Sequence, residues 1–295
     1  MHLFTKLPKP FLGLIKLCRV EEFYGNTIAL VALGAVFAPR LSALDIALLF
    51  AANLLLTVFA FAINDVEDAE DDARDPRKAA RNPVSARLLG RPAAVAASWL
   101  AALAGLGLLL RFGPSVVLLG CLNIALGFVY SVKRVRLKAL PFVDLISHGL
   151  FLGTLQFLTT VRAGAPAVPA AAVLGACLIC AVSMTGDLWN EIRDYDVDRR
   201  TGIRNTASVL DVRRIEPLLP HLFVWPSAGI SLLVAISLSG AQRVAALLLA
   251  LACGVVFALL PARAKKLLVT DQAQPAAALG GLLLLVMLRA APLAG

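Results

Sequence analysis

The chain has 295 residues, 59% of them Ala, Val, Ile, Leu, Met, Phe, Trp, Tyr or Cys and only 16% charged, with a mean hydropathy of +0.82. A soluble domain carries about 25% charged residues, so a water-soluble globular fold is excluded. The 28 Lys+Arg against 19 Asp+Glu give a net charge of +9, but in so apolar a chain that excess reports topology, and nucleic-acid binding is set aside.

The first segment, MHLFTKLPKPFLGLIKLCR, is basic and interrupted by Pro8 and Pro10. It lacks a long apolar stretch ahead of a small-residue cleavage site, and is expected to lie on the membrane surface and lead uncleaved into the first crossing. Nine apolar runs of spanning length follow, at roughly 21–39, 43–63, 93–110, 114–130, 141–161, 167–186, 217–238, 244–261 and 272–288. They predict an all-α integral membrane protein with nine transmembrane helices, residues 1–295 forming a single polytopic domain.

With the N-terminus in the cytoplasm, 23 of the 28 basic residues fall on inner segments, and only Arg40, Arg111, Arg162, Arg243 and Arg289 fall outside. That bias matches the positive-inside rule. It places the two long polar stretches, 64–92 and 187–216, on the cytoplasmic side of a bacterial or archaeal inner membrane.

The second crossing runs into Asp65, Glu67, Asp68, Glu70, Asp71, Asp72 and Asp75, and the sixth into Asp187, Glu191, Asp194, Asp196 and Asp198: twelve of 19 acidic residues in two short windows. One spacing repeats, Asn64-x3-Asp68-x3-Asp72 and Asn190-x3-Asp194-x3-Asp198. Residues four apart advance about 40° around a helix, so each trio lines one face of a helix end. The trios lie four crossings apart and face the same side, a parallel internal repeat. Solvated acids balanced by neighbouring Arg are the usual meaning of a charge run, but they do not explain the duplicated spacing. Two facing sets of hard oxygen ligands suit Mg2+ shared with phosphate oxygens, whereas an EF-hand needs alternating ligands and a glycine turn that are missing here. Arg74, Arg77, Lys78 and Arg81, then Lys133, Arg134, Arg136 and Lys138, then Arg199, Arg200 and Arg204 interleave cations with these acids, as Mg2+-bound diphosphate requires.

Other polar residues point less sharply. Cys177 and Cys180 form a CxxC with no second pair or nearby His, so small apolar packing is the simpler reading. His148 in the fifth crossing is expected to pack between helices, with a role as proton acceptor as the alternative. Asp144, four residues earlier, is placed to orient His148 or meet an acceptor, and Glu21 and Glu22 to do the same from the first helix. Tyr130, Tyr195 and Trp189 could shield a cation or anchor at the interface.

Together these residues resemble the UbiA superfamily of intramembrane prenyltransferases, whose motifs are NDxxDxxxD and DxxxD. Here they read Asn64-Asp65-Val66-Glu67-Asp68-Ala69-Glu70-Asp71-Asp72 and Asp194-Tyr195-Asp196-Val197-Asp198, the latter within NEIRDYDVDRRTGIRNT, with Gly202 and Thr206 in its tail. YSVKRVRLKALPFVD is similar to the family's Tyr-and-basic loop between the fourth and fifth helices. The resemblance spans the whole nine-helix plan and implies a UbiA-like bundle with a cytoplasm-facing active site. It implies Mg2+ ligation by Asn64, Asp68, Asp72, Asn190, Asp194 and Asp198, with Asp68, Asp72, Asp194 and Asp198 catalytic. Substrate contacts are implied for Arg19, Lys78, Arg81, Tyr130, Lys133, Arg134, Asn190 and Arg204. Two departures stand out: the family's YxxxK reads Tyr130-x3-Arg134 with Lys133 one place early, and its Arg-Pro reads Arg81-Asn82-Pro83.

The implied reaction moves an isoprenyl group from an allylic prenyl diphosphate to a lipophilic or aromatic acceptor within the membrane, releasing diphosphate. The partners are those substrates and membrane lipid; no protein partner is inferable. A divalent-cation transporter is the competing class, but it would place carboxylates near the bilayer midplane, and here they sit at inner ends. A scaffold without chemistry ranks last, since it leaves the duplicated spacing without a cause.

Overall fold

The computed structural model describes residues 8–201, 203–261 and 273–290, with the side chains at 197, 198, 200, 201, 253, 289 and 290 outside the description. Regular structure among these residues is helical throughout. The N-terminal basic segment forms a short helix, α1 (Lys9–Cys18), which buries Gly13 and Leu17 and leaves Phe11, Leu14 and Ile15 exposed. Leu17 packs against Ala62, Val66 and Leu89, which fixes α1 on the side of the bundle.

The membrane-scale helices follow as α2 (Tyr24–Val36), α3 (Ala43–Asp72), then the short α4 (Pro76–Arg81), α5 (Arg91–Leu109) and α6 (Pro114–Ser131). Next come α7 (Val143–Gly149), joined through a π turn at Leu150–Thr154 to α8 (Leu155–Gly164), and α9 (Ala170–Thr201). The short α10 (Thr206–Val209) and α11 (Val212–Ile215) lead to α12 (Leu219–Ser237), α13 (Gly240–Leu259) and α14 (Gln274–Ala290). Six of the described helices are long and apolar enough to cross a membrane, and Tyr24–Val36 and Gln274–Leu288 are shorter apolar helices. The fifth expected crossing, 141–161, is the rod of α7, π turn and α8. This is an integral membrane protein.

Local chemistry sets several ends. Ser42 and Asp45 form a capping box at the start of α3, Asp45 N–H donating to Ser42 Oγ at 3.1 Å and Ser42 N–H to Asp45 Oδ2 at 2.9 Å; such caps contribute about 1 kcal/mol. Gly113, at φ +90°, makes the turn between α5 and α6, a backbone region that L side chains avoid. The first apolar helix begins at Tyr24 rather than 21, because a 3-10 turn at Val20–Glu22 intervenes, so Glu21 and Glu22 precede it.

The core is organised around α3, whose Leu49, Leu56, Phe59 and Ile63 pack against Ala102 and Leu109 of α5, Val116 and Ile124 of α6 and Val31 of α2. A second cluster joins Leu30 of α2, Phe157 and Val161 of α8 and Ala172, Ala176 and Ile179 of α9. The last described helix closes on the first apolar one. A Cβ on Gly25 would lie 1.9 Å from the Gln274 carbonyl oxygen, one on Gly281 would lie 3.0 Å from Ala29 Cα, and Asn26 N–H donates to Gln274 Oε1 at 2.9 Å. Small residues permit this backbone approach where lipid leaves no hydrophobic drive between helices. By contrast α13 turns Leu248, Leu251 and Leu259 outward, a face suited to lipid and costly in water.

Candidate active site

Both acidic windows begin on helix ends: α3 continues to Asp72 and α9 to Thr201. At 1.5 Å per residue the 30 residues of α3 extend about 45 Å, well beyond a hydrocarbon core of about 30 Å, so its last turns leave the apolar layer. These turns carry carboxylates at a C-terminal helix end, where the backbone dipole is already negative. Cations must therefore come from elsewhere in the chain.

They come from three segments. Arg19, closing α1, meets Asp65 Oδ1 at 2.8 Å; Arg91, opening α5, meets Glu67 at 3.0 Å. The segment after α6 sends Lys133 to Glu70 at 2.8 Å, Arg136 to Asp68 at 3.2 Å and to Asp71 at 3.0 Å, and Lys138 to Asp68. Lys138 Nζ also donates to Asn64 Oδ1 at 2.7 Å, which Ser131 Oγ reaches at 3.3 Å. Arg19 and Arg136 both hold left-handed backbone, at φ 46° and 51°, a conformation costing about 1–2 kcal/mol for an L residue. At Arg19 the turn carries the guanidinium into Asp65, and at Arg136 it places one guanidinium between Asp68 and Asp71.

The two motifs meet in a cavity of about 300 Å³, whose wall includes Asp72 of the first motif, Asp194 of the second, and Arg19, Lys78, Arg81 and Asn82. Asp72 Oδ2 accepts from Asn82 Nδ2 at 2.8 Å, and Asp194 Oδ1 lies 3.3 Å from Arg193 Nε. At the rim Arg81 pairs with Glu22, its Nε 3.1 Å from Oε1, and Arg19 Nη2 reaches Glu22 Oε2 at 2.7 Å. Burial pushes the Glu22 carboxyl up, but Arg19 and Arg81 outweigh it and hold the group below the usual glutamate range.

This donor set fits Mg2+. No three Asp, Glu, His or Cys side chains converge as a metal cage among the described residues, so the ion would complete its shell with water and ligand oxygens, as Mg2+ habitually does. Asp72 and Asp194 would offer such an ion hard oxygens, and Arg19, Lys78 and Arg81 on the same wall carry the charge a phosphate would need. The Asp198 side chain lies outside the described residues.

A second cavity, of about 140 Å³, joins Asn64 and Asn190 with Tyr130, His148 and Asp187. Tyr130 OH donates to Asp187 Oδ2 at 3.3 Å, Asp187 Oδ1 lies 3.7 Å from His148 Nε2, and His148 Nδ1 is 3.2 Å from Ser183 Oγ. His148 and Asn190 also border a chamber of about 520 Å³ whose wall is mainly apolar, with Phe23, Leu30, Phe61, Ile179 and Leu284. Its described wall contains no Lys or Arg.

Several expected contacts go elsewhere. Lys133 is spent on Glu70, and Arg134 and Arg204 are exposed; Arg136 and Lys138 are the cations on Asp68. Asp144 does not orient His148: fully buried, it accepts from Thr206 N–H at 2.6 Å and from Thr206 Oγ1, while Glu191 accepts from Ala207 N–H at 2.9 Å. Two carboxylates thus fasten the turn after α9 to α7 and α9. Tyr195 and Trp189 pack with Leu188 and Leu219, a packing role in place of cation shielding. Cys177 and Cys180 are free thiols. Asn82 escaped notice in the sequence, where its one signal was its insertion between Arg81 and Pro83.

Comparison with known proteins gives a consistent result. The model of the UbiA prenyltransferase family matches residues 26–288. A lycopene elongase/hydratase from Haloarcula japonica is 33% identical over 183 residues, 60% of this chain and 57% of that protein. One from Haloferax volcanii is 33% identical over 193 residues, 64% of this chain and 61% of that protein. The matched segment thus spans about three fifths of these curated relatives. Among solved structures, a UbiA homologue from Archaeoglobus fulgidus bound to DMAPP and Mg2+ superposes with a TM-score of 0.71 at 19% identity, over 94% of this chain and 98% of that one. A homologue from Aeropyrum pernix K1 gives 0.66 at 22% identity over 89% and 97%. These likenesses show the same fold.

Proposed function

The chain belongs to the UbiA prenyltransferase family, and on that premise we propose that it transfers an isoprenyl group from an allylic prenyl diphosphate to a lipophilic acceptor, releasing diphosphate. The observation that carries this reading is the cavity whose wall brings together Asp72 and Asp194, from the two repeated motifs, with Arg19, Lys78 and Arg81. Asp72 and Asp194 would hold the metal from this cavity, with Asn64, Asp68, Asn190 and Asp198 joining directly or through water as the repeated spacing implies. Bound Mg2+ supplies neutralisation of the charge that builds on the departing diphosphate. Arg19, Lys78 and Arg81 take the oxygens left free, Arg81 by exchanging Glu22 for phosphate. The apolar chamber keeps the allylic cation from water.

The acceptor is an isoprenoid hydrocarbon. Two relatives that match are lycopene elongase/hydratases, and a chamber without Lys or Arg on its described wall would bury an aromatic acid's carboxylate unpaired, at a cost of several kcal/mol. We place nine crossings in the membrane, with the N-terminus and the ends of α3 and α9 in the cytoplasm. The test is incubation of membranes holding the protein with Mg2+, radiolabelled prenyl diphosphates of several lengths and a panel of carotenoid, quinone-precursor and glycerol-lipid acceptors. Mg2+-dependent labelling of a carotenoid supports the reading. Labelling of an aromatic acid alone overturns the acceptor, and no consumption of any prenyl diphosphate overturns the activity.

A further inference from the structure

Prenyl transfer, as proposed above and on which this inference rests, liberates one proton whatever the acceptor. The allylic C–O bond breaks with its electron pair on diphosphate, and a π or lone pair of the neutral acceptor forms the new bond to the allylic carbon. The cationic adduct regains neutrality when a C–H proton leaves, or when captured water gives up an O–H proton. That proton appears in a chamber with few bases. On its described wall the groups able to take it are Glu22 and His148, and Glu22 is committed to ion pairs with Arg19 and Arg81.

We propose that Ser183, His148 and Asp187 form the route by which this proton leaves the chamber. Ser183 stands on the chamber wall, and His148 borders both the chamber and the smaller cavity. Asp187 stands only on the wall of the smaller cavity, beside Asn64 and Asn190. Ser183 Oγ is 3.2 Å from His148 Nδ1, the other ring nitrogen is 3.7 Å from Asp187 Oδ1, and Asp187 Oδ2 accepts from Tyr130 OH at 3.3 Å. Ser183 and Asp187 lie one turn apart on α9, so they meet the two edges of a ring supplied by α7. A neutral imidazole holds one N–H and one lone pair, and can take a proton on one side and give one on the other. The 3.7 Å gap exceeds a hydrogen bond and closes by a small ring rotation or through one water. The opposing reading is a histidine that merely packs against Phe151, with ring centres 5.8 Å apart.

The test uses the full chain in membranes with Mg2+, labelled dimethylallyl diphosphate and lycopene, reading released diphosphate and prenylated acceptor separately. In His148→Phe, acceptor product falls at least about a hundredfold, the lower reach of lost proton transfer. Diphosphate release stays within about threefold, and the missing label appears as prenyl alcohol, formed where water captures the allylic cation and its proton passes to solvent. Ser183→Ala shifts the partition the same way but less, and His148→Gln, which keeps a polar group beside Ser183, reads the same split should the Phe variant fail to accumulate. Release and product falling in parallel would mark His148 as structural and overturn the proposal, as would an unchanged partition, with diphosphate itself taking the proton. Wild-type protein that releases no diphosphate overturns the prenyl-transfer reading instead, a result distinct from either.

Discussion

Asn82 donates from one amide nitrogen to two acceptors on α3, the Asp65 carbonyl and Asp72 Oδ2, both at 2.8 Å, while its Oδ1 accepts the backbone N–H groups of Val84 and Ser85. The side chain is 2% exposed. It therefore sets the direction in which Asp72 presents its free oxygen. Groups one step behind a metal ligand typically change affinity or activity 10–100-fold when removed. Asn82→Ala is expected to raise half-saturating Mg2+ at least about tenfold; an unchanged Mg2+ titration would detach Asn82 from the site.

Asp72→Ala and Asp194→Ala should each abolish Mg2+-dependent diphosphate release while the protein still inserts and stays folded, because each removes a wall of the same cavity from helix turns outside the main core. Asp68→Ala and Asp198→Ala should behave alike. Turnover in detergent-solubilised protein, beside its thermal unfolding, checks this; full activity in the Asp72→Ala, Asp194→Ala double variant would make these residues ordinary solvated acids.

Neighbouring cations after α6 should separate cleanly. Lys138→Ala and Arg136→Ala each remove one of the two cations on Asp68 and should impair turnover about tenfold or more, since a hydrogen bond to a charged group contributes about 1.5–3 kcal/mol. Arg134→Ala, at an exposed position, should change it less than about twofold. Equal losses in all three variants would contradict the geometry.

Mg2+ and prenyl diphosphate should bind as a linked pair. Protein oxygens alone leave Mg2+ sharing its shell with water, so calorimetry should find weak Mg2+ binding that tightens with prenyl diphosphate, and the reverse by the same factor. Tight cation binding indifferent to the diphosphate would favour a cation transporter.

Cysteines placed singly at Asp75 and Arg204, in a background without native cysteines, should both react with an impermeant maleimide from the cytoplasmic side. Labelling from opposite sides would refute the orientation read from the basic residues.

The sequence announced the helical rods well because membrane-spanning runs are long and apolar, and it announced the acidic trios because helix periodicity converts a four-residue spacing into one face. α3 and α9 carry both signals. Partner choice was less legible. Within YSVKRVRLKALPFVD four cations look equivalent in one dimension, and only the left-handed turn at Arg136 sends that residue and Lys138 inward while Arg134 stays exposed. Asp144 misled for a similar reason: its spacing from His148 describes one helix, whereas its partner Thr206 is 62 residues away. Asn82 was hidden because an uncharged side chain next to proline advertises nothing until folding brings α3 alongside.

The seam between α2 and α14 bears on how the enzyme is made. Gly25 and Asn26 dock on Gln274, and residues from both helices wall the chamber. A ribosome that has delivered everything up to α13 has therefore produced every acidic motif but an incomplete chamber wall. Until residues 274–290 insert, the chamber lacks the side that Gln274, Gly281 and Leu284 supply. Chemistry that needs a dry cation thus waits for α14, which guards a partly synthesised chain against squandering prenyl diphosphate.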